Sequence, residues 1–126
     1  MMSIAEQLDE LAAAVPEMCV KHGDRFLIGD YSFWLDGGEL WVSVRGRFAQ
    51  ATGQPALDWL AGAAIEALNN LGFFMAMCYQ SPPPYHPHWH VAFCRPEQEP
   101  NRGEASTLAE AVLSALLAAK RAVNNG

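Results

Sequence analysis

Apolar residues recur at helical spacing in three stretches of the chain and alternate with polar ones in others. Ser3 followed by Glu6 is a capping-box pattern, and Ile4, Leu8, Leu11, Ala12 and Val15 then repeat every three or four positions until Pro16. This predicts a short amphipathic helix, with residues 17–25 as a polar connection. Strand alternation begins near Phe26 and sharpens in Tyr31 to Asp36 and Glu39 to Arg45, on either side of Gly37-Gly38. That dipeptide suits a two-residue hairpin turn, which pairs Asp36 with Glu39, Leu35 with Leu40, Trp34 with Trp41 and Phe33 with Val42. Tyr31, Phe33, Leu35, Leu40, Val42 and Val44 then form an apolar face that belongs in a core. The opposite face is mixed: Ser32, Trp34, Asp36, Glu39, Trp41, Ser43 and Arg45, with Arg47 next in line.

Residues 46–54 read as a loop, and Pro55 suits the first turn of a helix whose stripe is Leu57, Leu60, Ala61, Ala64, Ile65, Leu68 and Leu71. Gly72 supplies the stop. Phe73 to Tyr79 is apolar on both faces, which predicts a central strand covered on each side. After the stiff Ser81-Pro82-Pro83-Pro84 comes a return strand; Pro87 starts its regular pairing near His88 and leaves His86 in the loop. A polar stretch from Arg95 to Ser106 precedes a last helix. Thr107 and Glu110 cap that helix, Leu108, Val112, Ala115, Leu116, Ala119 and Val123 form its stripe, and Lys120 and Arg121 near its end suit the dipole. The prediction is one α+β domain over residues 1–126, with a mainly antiparallel sheet of four or five strands and three helices, in the order helix, strands, helix, hairpin, helix.

The 126 residues can bury a core without a disulfide or metal staple. Hydrophobic residues make up 51% and charged ones 17%, a globular composition with no room for a long disordered tail. A net charge of −6 argues against gripping phosphate backbones, so nucleic acid is not expected as a partner. Cys19, Cys78 and Cys94 form an odd set without a Cys-x-x-Cys pair, which reads as buried free thiols in a reducing compartment. The first residues lack a basic n-region, and acidic residues interrupt their apolar stretch, so neither a signal peptide nor a membrane span is expected. These features point to the cytoplasm.

Candidate chemistry is confined to His86-Pro87-His88-Trp89-His90-Val91-Ala92-Phe93, where three of the chain's four histidines stand at alternate positions. Three readings compete. The string resembles the His-φ-His-φ-His-φ-φ signature of histidine triad nucleotide hydrolases and transferases, which implies His88 as nucleophile supported by His86 and His90. The Gly-rich phosphate-contacting segment of that family has no counterpart upstream, where Met77-Cys78-Tyr79-Gln80 and the prolines stand. A second reading is a site for zinc or another transition metal. Ligands in a straight strand are about 6.6 Å apart at alternate positions, so three in a row do not converge on one ion. Two of them could share it with a third ligand such as Asp36 or Glu39. The third reading follows periodicity: Trp89, Val91 and Phe93 face the core, and His88 and His90 are the half-exposed alternates of an amphipathic strand.

Trp34, Trp41 and Arg45 on the mixed hairpin face are of the residue types that dominate protein interfaces. The alternative is that the first or last helix covers the tryptophans. Stacking of single-stranded RNA bases on such aromatics is not expected, because the chain lacks a basic, aromatic signature.

Leu57-Asp58-Trp59-Leu60, Leu71-Gly72-Phe73, Trp89-His90-Val91-Ala92-Phe93, Gly103-Glu104-Ala105-Ser106-Thr107 and the helix from Leu108 follow an order that resembles the phage ABA sandwich domain. That resemblance covers about residues 55–120. It implies a layered α/β domain in a small phage or prophage protein, and it assigns no site residues. The function expected is that of a non-enzymatic accessory protein that binds a protein partner or self-associates through His88, His90 and the Trp34, Trp41 and Arg45 face. The rival is a metal-dependent or histidine-triad-like hydrolase centred on His86 to His90.

Overall fold

A computed structural model describes residues 3–47, 49–82 and 88–125, with side chains to residue 120. Helix α1 (Ile4–Ala14) is followed by strands β1 (Cys19–His22), β2 (Arg25–Ile28), β3 (Tyr31–Asp36), β4 (Glu39–Val44) and β5 (Gln50–Thr52). Helix α2 (Gln54–Asn70), strands β6 (Phe74–Gln80), β7 (Trp89–Cys94) and β8 (Asn101–Ala105), and helix α3 (Leu108–Asn125) complete the order. The fold is α+β, with three helices and antiparallel strands, as the patterning implies. The strands are divided between two meanders, β1-β2-β3-β4-β5 and β6-β7-β8, rather than gathered in one sheet.

The Gly37-Gly38 hairpin has the predicted register, from Asp36 opposite Glu39 to Tyr31 opposite Val44. Three segments read as connections contribute strands: residues 17–25 supply β1 and the start of β2, residues 46–54 supply β5, and the stretch before α3 supplies β8. Each is short, and its polar residues face out, so the period-2 signal is faint over so few positions.

Phe26, Ile28, Phe33 and Val42 line the inner face of the five-stranded sheet, and Leu60 and Leu68 of α2 join them in one continuous core that also takes in Val91 and Phe93 of β7. Helix α3 is the centre of the molecule. It packs on β7 and β8 and also on α1 and α2, so Ala109, Ala111, Val112, Leu113, Ala115, Leu116, Leu117 and Ala119 are all buried, well beyond the expected single stripe. Val123 of that stripe lies outside the described side chains. Small residues allow the close approach. A Cβ added to Gly103 of β8 would meet the Ala111 carbonyl oxygen at 2.1 Å and the Ala115 nitrogen at 2.5 Å.

Strand β6 corrects the sequence reading. It is the edge of the three-stranded sheet, paired among the described residues only with β7, and Phe74 and Tyr79 are 49% and 47% exposed. Its apolar residues on both faces reflect an open edge with a bulge between Met75 and Met77, rather than cover on two sides. The cysteines also differ from expectation. Cys19 is a buried free thiol, but Cys78 on β6 is exposed and Cys94 at the end of β7 is half-buried.

The helix starts follow the sequence signals, whereas α3 runs on to Asn125, so Lys120 and Arg121 stand before its last turn rather than in it. The Ser3 and Glu6 capping box is formed at α1. At α3 the Glu110 amide donates to Thr107 Oγ1 at 3.2 Å, and the Thr107 hydroxyl donates to Glu110 Oε1 at 2.8 Å. Thr107→Ala should therefore cost about 1 kcal/mol, read as a lowered urea midpoint with an unchanged slope. At the end of α2 the Arg95 guanidinium donates to the Leu71 carbonyl at 2.8 Å and lies 4.3 Å over the Phe73 ring, which makes it a structural clamp. Among the described residues no helix is long and apolar enough to cross a membrane.

Candidate functional site

The outer face of the five-stranded sheet is built by alternation. Because β1 to β5 pair in sequence, one row across the sheet reads His22, Arg25, Trp34, Trp41, Thr52 and the next reads Val20, Leu27, Ser32, Ser43, Gln50. Trp34 and Trp41 are stacked with ring centroids 6.3 Å apart and planes at 14°. The Arg25 guanidinium sits 4.1 Å over Trp34, a cation–π contact at the surface, and its Nη1 donates to Ser32 Oγ at 3.4 Å. Both tryptophans are half-buried and neither belongs to the core cluster. Val20 and Leu27 beside them are 51% and 38% exposed. At the hairpin end, Glu39 Oε2 accepts from Thr52 Oγ1 at 3.4 Å.

Arg45 does not join this group. It lies just past the end of β4 in an exposed turn, its amide donating to the Asp30 carbonyl at 2.8 Å. Arg25 takes the place assigned to it. Sequence reasoning missed Arg25 because residues 17–25 read as a connection. The usable signal was Gly23-Asp24 and Gly29-Asp30, two further turn dipeptides spaced like Gly37-Gly38.

His88 and His90 are on the other sheet and so do not adjoin Trp34 and Trp41. Strand β7 turns Val91 and Phe93 into the core and packs Trp89 against it, which leaves His88 and His90 half-buried on the outward face. Across the strand pair His90 stands opposite Glu104 of β8 on one side and Tyr79 of β6 on the other. Glu104 Oε2 lies 3.4 Å from His90 Nδ1 and 3.7 Å from His88 Nε2. The two imidazoles meet edge to face with centroids 5.1 Å apart, while Tyr79 stacks on His90 at 4.7 Å and 13°. Ser81 Oγ is 2.9 Å from His90 Nε2, and the Ser81 amide donates to the His88 carbonyl at 2.9 Å.

The residue that converges on these histidines is thus Glu104, not Asp36 or Glu39, which belong to the hairpin of the other sheet. Glu104 was hidden because β8 has only five residues, with a glycine at its centre. His86, the third member of the run, lies outside the described residues.

No protein-family model, no curated protein and no solved structure matches this chain.

Proposed function

We propose that this chain is a non-enzymatic self-associating module that pairs with a second copy of itself through the outer face of the five-stranded sheet. The carrying observation is the Arg25, Trp34 and Trp41 stack, a surface group outside the core that combines two large aromatics with a guanidinium. The face is also self-complementary. A two-fold axis parallel to the strands and midway between β3 and β4 sets each β3 over the other copy's β4, and each β2 over the other copy's β5. Because Arg25 and Thr52 lie in the same cross-strand row, each Arg25 is brought to Thr52 and its neighbour Glu39 in the second copy, on both sides of the tryptophans.

The four overlapping strands β2 to β5, at about 4.8 Å spacing, span about 14 Å, a footprint on the order of 300 Å² against the roughly 800 Å² per partner of a standard complex. Association is therefore weak and concentration dependent. The resemblance of residues 55–120 to phage ABA sandwich domains supports an accessory role of phage or prophage type. Free thiols support a reducing, cytoplasmic setting, and the net charge of −6 supports a protein rather than a nucleic-acid partner.

Sedimentation velocity over a concentration series tests the proposal. Trp41→Ala and Arg25→Glu should each weaken the dimer by ~30-fold or more, the equivalent of about 2 kcal/mol at a hot spot. The exchanged pair Arg25→Glu with Glu39→Arg should restore it. A wild-type protein that stays monomeric at high micromolar concentration, or a dimer indifferent to Arg25→Glu, would show that the face serves something other than self-association. Circular dichroism of each variant confirms that the sheet is intact.

A further inference from the structure

The geometry points to a transition-metal site formed by His88, His90 and Glu104, with Ser81 as its positioning residue. One donor atom from each of the three lies within 4.8 Å of the other two. Strand spacing alone would hold the imidazoles apart; they converge because both side chains lean across the strand pair toward the same carboxylate oxygen, Glu104 Oε2. In a tetrahedral zinc site with bonds of about 2.0 to 2.1 Å, ligand atoms stand about 3.3 Å apart. Two of the contacts here are 3.4 and 3.7 Å, so an ion is seated by small rotations of side chains whose ends are solvent-accessible.

Two imidazole nitrogens and a carboxylate oxygen, gathered within 4.8 Å of one another, make a donor set that a cation can occupy. Ser81 Oγ engages His90 Nε2, which turns the Nδ1 edge of the ring toward Glu104, and the stacked Tyr79 fixes the ring plane. This is how outer-sphere groups orient a metal-ligating histidine. Two imidazoles and one carboxylate suit Zn²⁺ and its first-row neighbours, not Mg²⁺ or Ca²⁺, which prefer all-oxygen sets. Three protein ligands on an outward sheet face leave a coordination position for water or a small anionic ligand.

Calorimetric titration of untagged protein with Zn²⁺ alone should give one ion per chain. His88→Ala, His90→Ala and Glu104→Gln should each lower the affinity by ~10-fold or more, and Ser81→Ala by ~10- to 100-fold through loss of orientation. Glu104→Gln is the decisive variant, since its side chain is exposed and the substitution leaves the fold in place. In nitrogen-15 spectra of the imidazoles, Zn²⁺ should move His88 Nε2 and His90 Nδ1. Absence of binding at millimolar Zn²⁺, or binding that survives Glu104→Gln or either histidine variant, would overturn the assignment and leave a His–Glu surface contact without an ion.

Discussion

Gly103→Ala is expected to be the most damaging single substitution in this chain, with a loss of about 3 kcal/mol or more, the upper end of overpacking costs. The added Cβ would sit 2.1 Å from the Ala111 carbonyl oxygen and 2.5 Å from the Ala115 nitrogen. Both are backbone atoms of α3, so no side-chain rotation relieves the clash. Either β8 lifts off the helix, or the helix shifts against α1 and α2, which pack on its other side. Against a total stability of typically 5–15 kcal/mol, such a loss leaves a small domain partly unfolded. The cause is purely steric, since Gly103 is not among the glycines with positive φ. A matched control is available in α2. Gly62 is exposed, and a Cβ there meets nothing within 4 Å, so Gly62→Ala should stabilise by about 1 kcal/mol. Urea unfolding of the two variants should move the midpoint in opposite directions; equal midpoints would mean that β8 does not press on α3.

The second large effect is a loss of stability in alkali that is traceable to one thiol. Cys19 is fully buried at the start of β1, and burial pushes its pKa up from 9.0 to about 12. Below pH 9 the thiol is protonated in both folded and unfolded chains and contributes no pH dependence. Between 9 and 12 the unfolded chain releases the proton while the folded one retains it. Unfolding therefore becomes easier by up to about 1.4 kcal/mol per pH unit, approaching about 4 kcal/mol across the window. The difference between wild type and Cys19→Ala is the quantity to measure, because it isolates this one group. That difference should shrink or reverse steadily as pH rises through the window, because the variant lacks this group. A thiol reagent gives an independent check. Exposed Cys78 should react in the native protein, whereas Cys19 should react only on unfolding.

Local signals carried much of the fold. Ser3 with Glu6 and Thr107 with Glu110 mark two helix starts, and Gly37-Gly38 fixes the register that stacks Trp34 on Trp41. These succeed because capping and tight turns are decided within a few residues, where side-chain oxygens meet unpaired amides and glycine admits positive φ. The candidate sites were legible only in part. Trp34, Trp41, His88 and His90 stand out by residue type and alternation, but the charged residues that join them come from segments whose pattern is too short to read. Arg25 comes from β2 and Glu104 from β8.

The sequence by itself determined the α+β class, the three helices, the hairpin register, and the inward turn of Val91 and Phe93 that leaves His88 and His90 facing out. All of these follow from contacts and periodicities within one segment. Only the tertiary structure decided that the strands form two meanders around a central α3, that β6 is an open edge, and that Glu104 meets the two histidines while Arg25 meets Trp34. Those outcomes depend on which segments pair across a sheet. Pairing is set by how buried faces from distant parts of the chain share one core, and no local pattern contains it.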